Sequence, residues 1–309
     1  MVSVVIPTKD DEKVFKAIER AKDERPDEII VVNDTESSEK YCEKLQDISG
    51  VKYVEVKGGT AKARNKGAEK ASSEKIIFLD SDCYPTEGWK EKMSQALDDV
   101  DIAEGKVEYI GERTPFSRLV ENKGEEGHFL TANLGVRKEV FQKVKFDENY
   151  AIFREDTDFG LRALEQGFKS KFVDAKVEHD AGKRTFRKFI QDQLRYETEP
   201  YFYQKFRGNE KLGDHVAYVG PVLYPKELAF EGLIAASILL SAFNPLALSG
   251  LFFSSVVLSS YYSYSAMREK NAEFSLADWF RGPYTVPIGI FAKRYAIWKG
   301  ALRYGVLVI

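Results

Sequence analysis

A chain of 309 residues, 43% hydrophobic and 31% charged, can form one large domain or a domain with an appendage. That balance excludes an intrinsically disordered or collagen-like chain. A formal net charge of −3 argues against a nucleic-acid partner, because such proteins are usually basic.

Residues 2–6 read as a β-branched strand stopped by Pro7. Residues 11–21 place Val14, Phe15, Ala17, Ile18 and Ala21 at helical spacing. A second strand is expected over 28–32, a helix over 36–48 and a third strand over 51–56. A helix over 61–71 offers Ala61, Ala68 and Ala71 as small packing residues, and a fourth strand covers 75–79. Strands apolar on both faces, separated by helix-length segments, predict an α/β fold of parallel βαβ units with right-handed crossovers. Further on, strands are expected over 103–110, 129–136 and 171–177, and helices over 138–144 and 155–166. The last helix is closed by Gly167.

Two cysteines, Cys42 and Cys83, make no disulfide framework and suit a reducing compartment. The opening MVSVVIPTKD has no basic leader, so no signal peptide is expected. Composition shifts after about residue 182. Residues 183–207 are aromatic and basic, and 232–267 hold no charge. Asn244-Pro245 splits the apolar stretch into arms of 228–243 and 246–266, with Lys226, Arg268 and Lys270 on the flanks. The second arm is long enough to span a bilayer. The pattern suits a hairpin entering and leaving from the cytoplasmic side. The alternative is a hairpin buried in a soluble protein or a homo-oligomer. Residues 278–304 mix aromatics with cations, as an interfacial helix does. The domains are therefore drawn at 1–182, 183–227 (interfacial helices) and 228–309 (hairpin and C-terminal helix).

In an open parallel sheet, ligands bind beyond the carboxyl ends of the strands. Here those ends are Pro7-Thr8-Lys9-Asp10, Asn33-Asp34, Lys57-Gly58-Gly59-Thr60 and Asp80-Ser81-Asp82. Residues i and i+2 of a strand face one side, so Asp80 and Asp82 are expected to point together. A divalent cation, Mg²⁺ or Mn²⁺, would relieve their repulsion. Mg²⁺ favours one or two carboxylates plus substrate phosphates, so the pair implies a metal–diphosphate site. The GGTAKARNKG segment is neither a Walker A loop nor G-x-G-x-x-G. A helix start with exposed amides and cations can still hold an anion.

VSVVIPTKD, VVND, GGTAKARNKG, IIFLDSDCYP, TANLGVRKEVF and REDTDFGLRALEQG follow one another across residues 1 to about 182. Together they resemble the family 2 glycosyltransferases of GT-A fold. The resemblance implies a Rossmann-like, mostly parallel sheet and a nucleotide-sugar donor of UDP, GDP or dTDP type. It also implies a divalent metal and an inverting, hexosyltransferase-like transfer. Under it, Pro7 and Thr8 lie against the nucleotide, and Asp34 reads the base. Asn33 departs from the family's usual Asp-Asp pair and leaves the base open. Arg64 lies near the nucleotide. Asp80 and Asp82 form the D-x-D motif, with Asp82 the metal ligand and His179 a third ligand or a structural histidine. Asp156 is the base that deprotonates the acceptor while the metal steadies the leaving diphosphate. Glu155 is the second candidate. The bland reading of both acids is a helix start that favours negative charge.

Residues 191–196 depart from the Q-x-x-R-W motif of processive members: Asp192 lies three before Arg195, and Tyr196 replaces Trp. No polymerising synthase is expected. The basic aromatic helices resemble those of membrane-bound members, which implies a lipid-linked or glycan acceptor at the cytoplasmic face of the cell membrane. Two rivals are a sugar nucleotidyltransferase and a non-catalytic membrane scaffold. The first lacks its glycine-rich loop after the first strand. The co-occurrence of Asp82, Asp156 and His179 speaks against the second.

Overall fold

The computed structural model describes residues 1–114, 117–150, 153–180, 182, 185–244 and 276–309, with scattered positions between 246 and 268. The chain divides into two units, one of residues 1–111 and 120–181, the other of 112–119 and 182–309.

The first unit is built on four parallel strands, β1 (Val2–Thr8), β2 (Glu28–Asp34), β3 (Lys52–Val56) and β4 (Lys75–Leu79), in the spatial order β3-β2-β1-β4. Helices α1 (Val14–Asp23), α2 (Glu39–Gln46) and α3 (Thr60–Lys70) make the crossovers. All of β1 is buried, as are Ile76–Leu79 of β4, which is why these strands are apolar on both faces. Helix α1 turns Val14, Ala17, Ile18 and Ala21 inward. Helix α3 lies so close to the sheet that a Cβ on Gly67 would sit 2.3 Å from Val5 and 2.9 Å from Val32.

Beyond β4 the chain adds β5 (Cys83–Pro85), α4 (Trp89–Asp99), β6 (Ile102–Ile110), β7 (Asn133–Arg137), α5 (Lys138–Val144), α6 (Glu155–Glu165) and β8 (Ser170–Asp180). Strand β7 runs antiparallel between β4 and β6, β8 runs parallel to β6, and β5 pairs antiparallel with β8 at the edge. The β6–β8 register shifts at Gly105/Lys106. Asn133 fills that irregularity. Its Nδ2 donates to the carbonyls of Lys106 and Ala175 (2.9 and 2.8 Å), and its Oδ1 accepts from Trp89 Nε1 (2.8 Å). A Cβ at Gly105 would collide with that amide at 2.1 Å.

Two expectations need correction. The strand expected over 129–136 starts only at Asn133. Phe129 has φ 52°, and Asn133 N bonds back to the carbonyl of Leu130, so the segment before it is a turn. The run expected to carry both Asp80 and Asp82 in one extended strand ends at Leu79. The chain then turns, closed by Cys83 N donating to the Asp80 carbonyl (3.1 Å), and β5 follows.

The second unit contains α7 (Phe186–Leu194), a 3₁₀ turn (Arg195–Thr198), α8 (Glu199–Phe206), α9 (Leu212–His215), a small hairpin of β9 (Tyr218–Val219) and β10 (Val222–Leu223), α10 (Pro225–Ser241) and α11 (Leu276–Tyr304). Arg294 of α11 is buried and bonds Glu231 of α10 (2.9 and 3.1 Å) and the Leu223 carbonyl (3.0 Å). Lys293 bonds Glu227 (3.0 Å) and lies 3.2 Å above the Tyr224 ring. Large apolar side chains stay exposed along α11 at Ile288, Phe291, Tyr295, Trp298 and Leu302, a helical i, i+3, i+7 stripe. The first arm of the expected hairpin is α10. The second, 246–266, lies outside the described residues but for scattered positions. Among the described residues no helix is long and apolar enough to cross a membrane.

Candidate active site

The carboxyl ends of β1, β2 and β4, the start of α3, the start of α6 and the end of β8 carry the candidate site residues of the first unit. Pro7 and Thr8 close β1 and are buried, with the Thr8 hydroxyl hydrogen-bonded to Tyr41. At the end of β2, Asn33 is fully buried. It accepts from Ser37 (2.8 Å) and donates to Cys42 and Tyr53 (3.2 Å each), so its amide is spent on local structure. Asp34 lies outward of it, accepts from Glu36 N (2.9 Å) and has Lys9 Nζ at 3.8 Å.

Asp80 and Asp82 flank the turn after β4 and serve different partners. Asp80 Oδ1 accepts from Arg64 Nη2 at 2.7 Å. Asp82 Oδ2 lies 3.4 Å from His179 Nε2. Burial opposes charge on Asp82, but His179 and then Lys13 hold its carboxyl below the usual carboxylate range. His179 is buried, and its Nδ1 has no hydrogen-bond partner. Cys83, fully buried, pairs with His179 across β5 and β8 and donates its S–H to Asp82 Oδ1 (3.8 Å). Ligand atoms of Asp82, Cys83 and His179 all lie within 4.8 Å of one another, which makes them a candidate metal-binding group. A carboxylate and a buried imidazole side by side fit a divalent cation.

Arg64 sits in the first turns of α3, 3% exposed. Its Nη1 donates to Glu155 Oε1 at 2.8 Å while Nη2 holds Asp80. Burial opposes its charge, but Asp80 and Glu155 outweigh that and keep its pKa above its ordinary value. Thr60 also donates to Glu155 Oε1 (2.8 Å). Asn65 next to Arg64 is tied to Phe146 through both its amide atoms (2.9 Å each). The Ala-Arg-Asn run is therefore a brace linking α3 to the segment before α6.

Asp156 follows Glu155 in the first turn of α6, after Arg154 at φ 77°. It remains partly exposed, and its Oδ1 accepts from Thr157 N at 2.7 Å. Burial, then the neighbouring Glu155 charge, push its pKa up to about 6 against the pull of Arg64. Such a carboxyl group is ionised at neutral pH yet basic enough to take a proton.

The structure thus brings Asp80, Arg64 and Glu155 into one contact chain, with Asp156 beside it, and joins Asp82 to His179. It keeps Asp80 out of the Asp82 group. The sequence reading missed Cys83 and Lys13. Cys83 follows the acid triplet directly, but its partnership with His179 needs β5, which three residues cannot announce.

The family model for glycosyl transferase family 2 matches residues 3–158 of the 309. Glycosyltransferase AglE of Haloferax volcanii is 29% identical over 150 residues, covering 44% of this chain and 49% of that protein. The chain thus aligns with about half the length of this curated relative. The crystal structure of S. aureus TarS superposes with a TM-score of 0.48 at 16% identity, over 66% of this chain and 43% of TarS. On a family match that spans half its length, this chain belongs to glycosyl transferase family 2.

Proposed function

We propose that the chain is a metal-dependent, inverting glycosyltransferase that moves a sugar from a nucleoside diphosphate donor to a lipid-linked or glycan acceptor. One observation carries this reading. A metal-capable group at Asp82 and His179 shares a turn with Asp80, and Asp80 connects through Arg64 and Glu155 to a carboxyl group poised near neutral pH, Asp156. Asp82 and His179 would hold the cation, which supplies charge neutralisation to a departing diphosphate. Asp156 takes the proton from the acceptor hydroxyl, and a single displacement inverts the anomeric carbon. Glu155, whose Oε1 accepts from both Thr60 and Arg64, orients the start of α6, and the proton transfer falls to its more exposed neighbour. Asp34, with Lys9 Nζ at 3.8 Å, would read the base of a UDP, GDP or dTDP donor.

The acceptor is proposed to lie at the cytoplasmic face of a membrane, with α11 resting in the interface. The exposed stripe of Ile288, Phe291, Tyr295, Trp298 and Leu302 supports this, since Tyr and Trp favour such a boundary.

Calorimetric titration of UDP, GDP and dTDP with and without Mn²⁺, on wild type and Asp82→Asn, tests the donor site. One nucleotide should bind in a Mn²⁺-dependent manner, and the variant should lose it. Metal-independent binding would remove the cation from the mechanism. Mn²⁺-dependent binding with no transfer to any acceptor would leave a binding scaffold.

A further inference from the structure

We propose that Cys83 is a protein ligand of the divalent-cation site, so that the site favours a borderline or soft ion of the zinc, cobalt or cadmium class over Mg²⁺. The proposal rests on the reading that Asp82 and His179 hold a metal, and goes beyond it in naming the third ligand and the metal class.

The D-x-D pattern leads one to expect two hard oxygens from Asp80 and Asp82. The fold withdraws the first. Asp80 Oδ1 is held by Arg64 Nη2 at 2.7 Å, and Arg64 is itself fixed by Glu155. The place of the second carboxylate near Asp82 is taken by sulfur. Cys83 and His179 are directly opposed in the antiparallel β5–β8 pair, the arrangement that brings two side chains closest together across a ladder. Cys83 Sγ is 3.8 Å from Asp82 Oδ1, and His179 Nε2 is 3.4 Å from Asp82 Oδ2. A tetrahedral ion with bonds of about 2.0–2.3 Å sets its ligand atoms roughly 3.3–3.7 Å apart. Octahedral Mg²⁺, at about 2.0–2.1 Å, would draw them to roughly 3 Å. One ligand atom from each of the three residues lies within 4.8 Å of the other two, so the group must draw together on any ion, and less far for the tetrahedral one.

Burial points the same way. Cys83 is fully buried and His179 is 5% exposed, while the Asp82 side chain is 27% exposed. Three ligands held from inside, with water reaching one side, leave a coordination position for an incoming phosphate oxygen. On binding, the sulfur–metal bond forms as the S–H bond breaks, and the proton passes to solvent. Thiolate ligands select zinc-like ions, whereas carboxylate and water select magnesium.

The test uses the full chain with Co²⁺ as the probe. A thiolate-to-cobalt charge-transfer band in the near ultraviolet is expected in wild type and in Cys42→Ser, the control for the other cysteine. It should vanish in Cys83→Ser and in Cys83→Ala. Zn²⁺ affinity should fall by about 100-fold or more, beyond the 10–100-fold loss that removing a residue which merely orients a ligand brings. Mn²⁺ binding, followed by electron paramagnetic resonance, should change far less. A band that survives in Cys83→Ser, or wild type that binds Mn²⁺ and Co²⁺ without the band, overturns the proposal and leaves the donor-site reading intact. A folded wild type that binds none of these ions overturns both. The wild-type band is diagnostic even if both variants fail to fold.

Discussion

Arg64 Nη1 lies 2.8 Å from Glu155 Oε1, a contact between residues 91 apart that fixes the start of α6 to the start of α3. The same guanidinium reaches Asp80 at 2.7 Å, so one buried cation sets the positions of both the D-x-D turn and the helix that carries Asp156. Removing one partner of a buried ion pair strands the other charge, at a cost of about 3–5 kcal/mol. Arg64→Ala should lose stability on that scale in urea unfolding. Arg64→Lys should recover only part of it, because an ammonium cannot fork between two carboxylates. Equal stability of all three proteins would show that the brace carries no net free energy.

Glu155 raises the pKa of Asp156 by its negative charge. Glu155→Gln removes that charge and keeps an oxygen to accept from Thr60 and Arg64. The acidic limb of the kcat/KM profile, expected near pH 6 in wild type, should therefore move to lower pH while turnover persists. Loss of turnover at every pH would instead make Glu155 the base.

A carboxyl group whose pKa is raised on folding binds its proton more tightly in the native state. It opposes folding as pH climbs from its ordinary 3.8 through about 6. Asp156→Asn abolishes this term. The variant should be inactive yet more stable than wild type at pH 8, by about 1–3 kcal/mol, with the advantage shrinking as pH falls from about 6 and nearly gone by pH 4. Thermal unfolding at the two pH values measures it. A variant less stable at pH 8 would mean that the Asp156 charge is welcome where it sits.

The sheet was legible because its central strands are buried on both faces and so read as nearly unbroken apolar runs. Val2 to Ile6 and Ile76 to Leu79 could hardly be anything else. The Ala-Arg-Asn segment was legible as a motif but not as a brace, since the partners of Arg64 lie 16 and 91 residues away in sequence. The paired orientation of Asp80 and Asp82 was misread because the strand rule was carried past the strand's end. What parts the two side chains is a single turn hydrogen bond from Cys83 N. Likewise β5 is three residues long, too short for any period, and with it went the Cys83–His179 pairing.

Gly67 of α3 tests how closely that helix must approach the sheet. A Cβ would stand 2.3 Å from a Val5 methyl and 2.9 Å from one of Val32, both fully buried side chains. Gly67→Ala would gain helix propensity at an open site. Here overpacking should dominate and cost about 1–3 kcal/mol. Because α3 also carries Arg64, kcat should fall along with the unfolding midpoint. A stabilised Gly67→Ala would mean that α3 can move outward without loss.

The stripe on α11 distinguishes a membrane interface from contact with a second copy. Tyr295 and Trp298 are 60% and 51% exposed at its centre, in a helix whose other face is tied down by Lys293 and Arg294. Burying one large apolar side chain is worth about 1.5–3 kcal/mol. Replacing both with Ser should therefore weaken co-sedimentation with phospholipid vesicles by about 100-fold or more, with the fold intact because neither side chain is buried. The expected result for wild type is vesicle binding that persists in moderate salt, since apolar burial is not screened as charge is. If wild type leaves vesicles untouched but sediments as a dimer that the double variant dissociates, the stripe is a protein interface. The acceptor would then be sought among soluble glycans.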